Sequence, residues 1–296
     1  MPGHTFVQVD AFTDRPFAGN PCAVVFDADD MDERTMLAVA AEMNLAETAF
    51  VLRSDVAAFG LRFYTPAEEI PLAGHPTIAA AYALVDSGRL TLTGDRTTVY
   101  FELKEGPIRV DLRTDGAGPL EVVMSQREPE FLRKYEPEEV LPVFGLTQDD
   151  LLPGASIQTV STGTPQLMVP LRSLEAVKKA KLEIDTYTRL RTVGDFFSPH
   201  LFCLGGISGV AQTFARHFGV PPDLPEDAFT GSATGGMAAY LWRYGLIPQP
   251  VFTAEQGHMM GRPGRAQVEV VGPPDKISTV KIGGSAVKVL WGELVV

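Results

Sequence analysis

The sequence predicts an α+β fold made of two similar β-rich lobes, each built around one central helix, and three features lead to this prediction. Most apolar runs are short, β-branched and bounded by Gly, Pro or Asp, as in FVQVDAF and TTVYFEL, which is typical of strands separated by turns. Two helical segments, HPTIAAAYALVDSG and ATGGMAAYLWRYG, are apolar on nearly every face, which indicates helices enclosed by other structure. The segments around them occur twice in the same order.

The repeated order is a GxP turn with a strand, an Arg-x-aromatic strand, an acidic loop, a Gly turn and a buried helix. Before the first of these helices, the spacing predicts another helix from Asp32 to Asn44, with Asp29 and Asp30 available to cap its first turn. The repeat aligns Gly19 with Gly163 and Pro21 with Pro165 (144 residues apart), Arg62 with Arg216, and Glu69 with Glu226, Gly74 with Gly231 and Gly88 with Gly245 (157 residues apart).

The duplication divides the chain into an N-terminal lobe, 1–118, and a C-terminal lobe, 119–285. The connecting stretch is expected near residues 116–120, where Gly and Pro interrupt the strand pattern. The final segment, 286–296, is expected to cross back to the first lobe.

The overall composition excludes several classes of protein. The 296 residues carry 25 basic and 37 acidic side chains, a net charge of −12, and no stretch concentrates Lys and Arg, so we expect no nucleic-acid partner. No uncharged run approaches the roughly 20 apolar residues of a membrane span, and the first residues lack a secretory pattern. We therefore expect a soluble protein of the cytoplasm that does not bind membranes.

Neither a metal nor a cofactor is required by any motif in the sequence. Cys22 and Cys203 lie far apart, which excludes a disulfide scaffold and a thiolate zinc site. The five histidines show no metal-ligand spacing, and GxxxxGK, GxGxxG, HExxH and GxSxG are all missing from the sequence. The sequence therefore predicts chemistry carried by side chains and backbone groups alone.

Both buried helices begin with loops that suit an anionic ligand, AGHPT (73–77) and TGSATGG (230–236). The first N–H groups of a helix lack intrahelical partners, and a carboxylate there also meets the positive end of the helix dipole. Glycine permits close approach, and Thr77, Ser232 and Thr234 add hydroxyl groups. The alternative is an ordinary helix start with Gly for the turn and Ser or Thr as a cap. Two such loops in equivalent places favour a binding site.

Four residues near these loops can form an acid–base site. Glu47, in NLAETAFVL, is either exposed at the start of a strand or partly buried and suited to proton transfer. His75 opens the first buried helix, where a neutral imidazole is favoured; a purely structural role is the alternative. Asp227 precedes the second helix and either caps it or joins Ser232 in binding a ligand.

At these residues the sequence resembles the PhzF-like proteins, a phenazine-biosynthesis isomerase family with the fold of diaminopimelate epimerase and the proline racemases. The resemblance covers nearly the whole chain and rests on its most specific blocks, NLAET, AGHPT and EDAFTGSATG, in this order and spacing. It implies a duplicated diaminopimelate epimerase-like fold, with two β-barrel-like lobes and an active site in the cleft between them. It also implies no cofactor, and we expect a homodimer.

The resemblance further implies an isomerase of trans-2,3-dihydro-3-hydroxyanthranilate or a similar small cyclic carboxylic acid. Glu47 is then the residue that moves a proton from one ring carbon to another. His75, Asp227 and Ser232 are expected to orient the substrate and relay protons. The substrate-binding residues implied at the two helix starts are Gly74, Thr77, Gly231, Ser232 and Ala233.

Two other functions remain open from the residues. Epimerases and racemases of this fold use two facing cysteines, one at each helix start, and GHPT and GSATG contain no thiol. A one-base epimerase or lyase acting on another small carboxylic acid is therefore the first alternative. A non-catalytic small-molecule-binding protein that kept the cleft is the second.

Overall fold

The computed structural model describes residues 3–114, 116, 120–219 and 224–296. Its contacts divide the chain into two compact units: unit 1 comprises Met1–Ser125 with Gly283–Val296, and unit 2 comprises Gln126–Ile282. The lobe boundary predicted between residues 118 and 119 lies outside the described residues. Within the described ranges, no helix is both long and apolar enough to cross a membrane.

Unit 1 consists of short strands that pair mostly with their neighbours in the chain. Strand β2 is antiparallel to β1 and parallel to β3, and β3 is antiparallel to β4. The last strand, β17 (Thr279–Val295), begins in unit 2 and pairs antiparallel with β1 in unit 1. The other strands are β1 (Gly3–Ala11), β2 (Asn20–Val25), β3 (Glu47–Leu52), β4 (Phe59–Tyr64), β5 (Glu69–Ile70), β6 (Arg96–Leu103), β7 (Gly106–Arg113) and β8 (Glu121–Ser125).

Two helices pack on this sheet. Helix α2 (Gly74–Asp86) is the central helix of unit 1 and lies against β1, β2, β3 and β8. Ala79, Ala80 and Ala81 are all fully buried, because small side chains on every face let the strands approach the helix closely. Helix α1 (Glu33–Met43) packs through Met36 against Phe50 and its neighbours.

Unit 2 repeats this arrangement and adds helices between its strands. Strand β11 is parallel to β12, β12 is antiparallel to β13, and the 13-residue helix α6 is buried at the centre. The strands are β9 (Glu130–Tyr135), β10 (Ile157–Ser161), β11 (Pro165–Pro170), β12 (Ser198–Leu204), β13 (Thr213–Phe218), β14 (Glu226–Asp227), β15 (Val251–Gln256) and β16 (Gly264–Val271). The helices are α3 (Pro137–Val140), α4 (Leu174–Lys179), α5 (Ile184–Val193) and α6 (Gly231–Arg243).

The predicted duplication and α+β class are confirmed, and the repeat extends to individual side chains. The Nε of Arg62 lies 2.8 Å from an oxygen of Glu69, and the Nε of Arg216 lies 2.8 Å from an oxygen of Glu226. Each pair joins adjacent strands, β4 to β5 in unit 1 and β13 to β14 in unit 2. The aligned residues therefore have equivalent positions in the two units.

The cap of α1 differs from the one expected. Asp32, rather than Asp29 or Asp30, is the N-cap residue, and its carboxylate accepts a hydrogen bond from Thr35 N at 2.8 Å. Asp29 instead accepts a hydrogen bond from Arg53 N at 3.0 Å. An N-cap side chain accepts from the N–H two or three residues after it, and Asp29 lies too early in the chain to reach the first turn in this way.

Candidate active site

Glu47 is the first residue of β3, directly after the turn that ends α1. Asn44 closes that helix in the left-handed conformation (φ 51°), and an apolar strand follows Glu47. In the parallel pairing of β2 with β3, Glu47 lies opposite Cys22. Its side chain is 20% exposed, so the carboxylate is largely enclosed but still accessible.

His75 lies in the first turn of α2 and contacts Glu47. The His75 Nδ1 lies 3.1 Å from Glu47 Oε2, and the imidazole is almost fully buried. The structure thus brings together the two residues of unit 1 that the sequence singled out for proton transfer. A carboxylate in contact with a ring nitrogen at a helix N-terminus is an arrangement that can exchange and hold a proton.

Asn20 completes this cluster and was missed by sequence reasoning. Its Nδ2 lies 3.0 Å from the same Nδ1 of His75, and its side chain is 1% exposed. The residue stands in AGNP, and an Asn beside Gly and Pro has the pattern of an ordinary turn. Only the fold shows that this turn lies against the start of α2.

The chain that leads into Asn20 is conformationally strained. Phe12 and Phe17 have positive φ (63° and 64°), a conformation that L-residues rarely adopt. The buried carboxylate of Asp10 fixes this segment by accepting a hydrogen bond from Phe17 N at 2.7 Å. A Cβ on Gly19 (φ 57°) would collide with the carbonyl oxygen of Ala11, so glycine is required there. Strain of this kind is typically retained beside functional sites.

The remaining predicted residues of unit 1 form the first turn of α2. Gly74 begins the helix, and the preceding N-cap residue, Ala73, provides no side-chain cap. The Thr77 hydroxyl donates to Ala73 O at 2.7 Å and is fully buried. Thr77 therefore directs its hydroxyl proton at the backbone, and its contact with a ligand stays a prediction.

In unit 2, Asp227 ends β14 and is held beside the start of α6. The Thr230 hydroxyl donates to Asp227 Oδ2 at 2.5 Å. Gln256, at the end of β15, donates from Nε2 to Asp227 O at 2.8 Å and accepts from Thr230 N at 3.1 Å. Gln256 is 1% exposed and fixes both ends of this loop. Gln256 was missed by sequence reasoning, since a Gln at the end of an apolar strand is commonly a surface residue.

The predicted residues Gly231, Ser232 and Ala233 form the first turn of α6. All three are buried, and Ser232 retains 8% of its surface. The side chain of Thr230 does not cap the helix, because its hydroxyl is directed at Asp227. The Gln126 side chain donates from Nε2 to Gly231 O at 2.8 Å and thereby holds the first residue of the helix. A helix start without a side-chain cap suits a ligand carboxylate.

A buried hydrogen-bonded chain lies on the strands next to Asp227. The Ser198 hydroxyl donates to Gln166 Oε1 at 2.8 Å, so it accepts from His217 Nε2 at 2.7 Å. His217 Nδ1 then accepts from His200 Nδ1 at 3.3 Å. Burial lowers the pKa of His217 to about 4, partly opposed by the charge of Asp227. Both imidazoles are therefore neutral near pH 7, and the chain has a defined direction.

The two thiols are held in their neutral form by burial. Cys22 and Cys203 are free and buried. Burial raises the pKa of the Cys22 thiol well above its usual range, and the charge of Glu47 adds to that effect. Burial likewise raises the pKa of Cys203 to about 11. The described residues include no group of three or more His, Cys, Asp or Glu side chains able to hold a metal.

The chain matches the PhzC-PhzF family, described as phenazine biosynthesis-like protein, over residues 9–292. It is 32% identical to the trans-2,3-dihydro-3-hydroxyanthranilate isomerase of Pseudomonas fluorescens, with 99% of both chains covered. It is 31% identical to an uncharacterized isomerase of Clostridium acetobutylicum, with 99% of this chain and 98% of that chain covered.

Solved structures are similar over the same length. A PhzF-family phenazine biosynthesis protein of Bacillus anthracis gives a TM-score of 0.89 at 30% identity, with all of both chains covered. A probable proline racemase of Agrobacterium radiobacter gives a TM-score of 0.69 at 13% identity, covering 99% of this chain and 93% of that chain. The second likeness concerns the fold alone, and together they confirm the predicted fold class.

Proposed function

This chain belongs to the PhzC-PhzF family and is an isomerase of that family; we propose that it moves a proton within a small cyclic amino- or hydroxy-carboxylic acid. The substrate we propose is trans-2,3-dihydro-3-hydroxyanthranilate or a close analogue, as the name of the Pseudomonas fluorescens relative suggests. The observation that carries this proposal is the 3.1 Å contact between Glu47 Oε2 and His75 Nδ1 at the start of a buried helix.

Glu47 is the proton carrier in this mechanism. Its ionised carboxylate takes a proton from one ring carbon, and the electron pair of that C–H bond forms a new double bond to the adjacent carbon. The existing double-bond electrons shift along the ring, so that an electron pair becomes available at a second ring carbon. The carboxylic acid then returns the same proton to a second ring carbon, so Glu47 ends the cycle ionised again. A single side chain that acts as base and then as acid needs no cofactor. His75 lies against the Glu47 side chain at the start of the helix and is proposed to limit the positions that the carboxyl group can adopt.

The first turn of α6 is proposed to bind the carboxylate of the same substrate. Gly231 and Ser232 offer backbone N–H groups at an uncapped helix start, and the Ser232 hydroxyl adds a donor. Asp227, fixed by Thr230 and Gln256, is proposed to accept a hydrogen bond from the substrate amine. The residues proposed to act on the substrate are Glu47, Gly74, His75 and Thr77 in unit 1 and Asp227, Gly231, Ser232 and Ala233 in unit 2.

The test follows the ultraviolet spectrum of trans-2,3-dihydro-3-hydroxyanthranilate mixed with the wild-type protein and with Glu47→Gln. We expect rapid loss of the substrate spectrum with wild type and none with Glu47→Gln. The matched control is Glu42→Gln, which makes the same chemical change at an exposed position of α1. Equal turnover by Glu47→Gln and wild type would reject Glu47 as the carrier, and no turnover by any of the three would reject this substrate.

We also propose that the protein is a homodimer, on the evidence of exposed apolar side chains in β17. Trp291 is 76% exposed and Val295 is 66% exposed, and residues four apart on a strand lie on the same face. Large exposed apolar groups that share a face are typical of interaction surfaces. Light scattering after size-exclusion chromatography should give twice the chain mass for wild type and the single mass for Trp291→Glu. A monomeric wild type would contradict the proposal.

A further inference from the structure

We propose that Asn20 is a positioning residue that fixes the tautomer of His75 and thereby keeps the proton of the Glu47–His75 pair on Glu47. This inference rests on the proposed role of Glu47 as proton carrier. It concerns a residue that does not itself touch the reacting atoms but acts on the group that contacts Glu47.

The argument begins with one ring atom that has two contacts. His75 Nδ1 lies 3.0 Å from Asn20 Nδ2 and 3.1 Å from Glu47 Oε2. A ring nitrogen of a neutral imidazole either carries a hydrogen or presents a lone pair, and never both. The amide nitrogen of Asn20 has only hydrogens to offer, so Nδ1 is the acceptor of this bond. The ring proton of neutral His75 is consequently on Nε2.

This tautomer decides whether His75 can share the proton that Glu47 carries. Because Nδ1 has no hydrogen, it cannot donate to the Glu47 carboxylate. Its one lone pair already accepts from the Asn20 amide, so Nδ1 is also a poor acceptor for a proton held by Glu47. The proton that Glu47 takes from the substrate therefore stays on Glu47 until it is returned. Asn20 thus keeps the proton on its carrier halfway through the proposed cycle.

The backbone holds Asn20 firmly enough for such a role. Asn20 is the first residue of β2 and lies opposite Ala11 in the ladder with β1. It is preceded by Gly19, whose positive φ admits no other residue without collision, and followed by Pro21, whose φ is fixed by its ring. The amide is therefore presented to His75 from a rigid turn.

Unit 2 shows that the turn itself does not require Asn. The equivalent turn has Thr164 between Gly163 and Pro165, and Gly163 again has positive φ (131°). The position equivalent to His75, 157 residues later, is Ser232. The same backbone is thus built with Thr where no imidazole follows, and with Asn where His75 follows. This difference supports a role for the Asn20 amide toward the imidazole rather than in forming the turn.

The experiment that tests this inference reads the tautomer directly, without any substrate. The protein is labelled with ¹⁵N in its histidine rings, and the His75 signals are assigned by their loss in His75→Gln. We expect the wild type near neutral pH to show the Nε2–H tautomer. An Nδ1–H tautomer in the wild type would overturn the inference, whatever the variants do.

The variant Asn20→Asp keeps the shape of the side chain but replaces the donor by an acceptor. We expect the ring proton to move to Nδ1 and kcat to fall about tenfold, with KM changed less than about twofold. The matched control, Thr164→Val, alters the equivalent turn of unit 2 and should leave the His75 ring signals unchanged. An Nε2–H tautomer in a folded Asn20→Asp protein would contradict the proposal.

Failure of this inference is distinguishable from failure of the proposed function. If the wild type does not turn over the dihydroanthranilate, the ring spectrum still reports the tautomer. If the wild type is active but shows the Nδ1–H tautomer, the isomerase assignment stands and the role of Asn20 is rejected.

Discussion

Units 1 and 2 share one scaffold but differ at the position where the chemistry is expected. Each has a 13-residue buried helix, and Thr77 and Thr234, at equivalent places, donate to the backbone four residues earlier. In each unit the strand at the GxP turn, β2 or β11, pairs in parallel with a second strand, β3 or β12. This second strand begins with Glu47 in unit 1 and with Ser198 in unit 2. The scaffold is repeated, but only unit 1 has an ionisable carboxylate at this position.

The surroundings of these two residues differ as much as the residues themselves. Glu47 is partly exposed and contacts an imidazole that opens a helix. Ser198 is buried in a chain of neutral groups that ends at His200, whose Nε2 has no hydrogen-bond partner among the described residues. The comparison teaches that the same position is partly exposed and ionisable in unit 1 but buried among neutral groups in unit 2, which supports the proposed proton transfer at Glu47.

The largest expected effect comes from replacing the two residues that stand at this equivalent position. Glu47→Ser gives unit 1 the residue of unit 2 and should lower kcat by about 10²–10⁴-fold, because the proton carrier is lost. Ser198→Ala should leave kcat within about threefold, because Ser198 serves only a hydrogen-bonded chain. Steady-state rates on the dihydroanthranilate measure both. A larger loss in Ser198→Ala than in Glu47→Ser would reverse the assignment of the two units.

The equivalent ion pairs provide a second test. Arg216 is only 12% exposed and also donates to Ala180 O at 2.7 Å, so Arg216→Met leaves Glu226 and a backbone carbonyl without their donor. We expect a loss of about 3 kcal/mol in unfolding free energy. Arg62→Met should cost less, since Glu69 keeps Lys104 at 2.7 Å. Urea unfolding compares the two variants, and an equal or greater cost for Arg62→Met would contradict this explanation.

Acid should destabilise the protein through the neutral histidines of unit 2. Burial lowers the pKa of His217 to about 4 and that of His200 well below its usual range. An unfolded histidine binds a proton near pH 6.5, so as pH falls below this value the unfolded state binds protons that the folded state does not. The contribution of the two neutral histidines to the free energy of unfolding is fully present above about pH 6.5 and is lost as pH falls toward 4.

For His217 alone, the loss between about pH 7 and pH 5 should be roughly 2 kcal/mol. Urea unfolding at the two pH values measures it. His217→Phe installs the residue found at the equivalent position of unit 1, Phe63, and should reduce the difference between the two pH values even if it lowers stability at both. An unchanged difference would show that other groups cause the acid sensitivity.

The smallest expected effect concerns the thiols. Cys22→Ala and Cys203→Ala should each change kcat by less than about threefold, and each should cost about 1 kcal/mol of stability for the lost packing. In the native protein, both thiols should resist alkylation near neutral pH, because each is buried with a raised pKa. Rapid alkylation of Cys22 with loss of activity would contradict a mechanism without thiols.

The sequence predicted those parts of the fold that depend on local patterns. Apolar residues on all faces marked α2 and α6, and the repeated order of segments aligned Arg62 with Arg216 and Glu69 with Glu226, because both signals lie in short local patterns. Asn20, Gln256 and Ser198 could not be chosen in this way. Each is polar, sits at the start or end of a strand, and acquires its role from residues that are tens of positions away in the chain. Glu47 and His75 were candidates from their places in the sequence, the family resemblance implied their roles, and only the fold shows that they lie 3.1 Å apart.

The path of β17 has a consequence for the order of folding. Its later residues pair with β1, from Ala11 with Ala286 to Gly3 with Val295. The sheet of unit 1 therefore pairs residues that are separated by nearly the whole length of the sequence. All of unit 2 is synthesised between these partners, and pairings of such large sequence separation form slowly. On the ribosome, unit 1 therefore waits with an edge of β1 unpaired, although its first strands emerge before any part of unit 2. The unit that starts first is completed last.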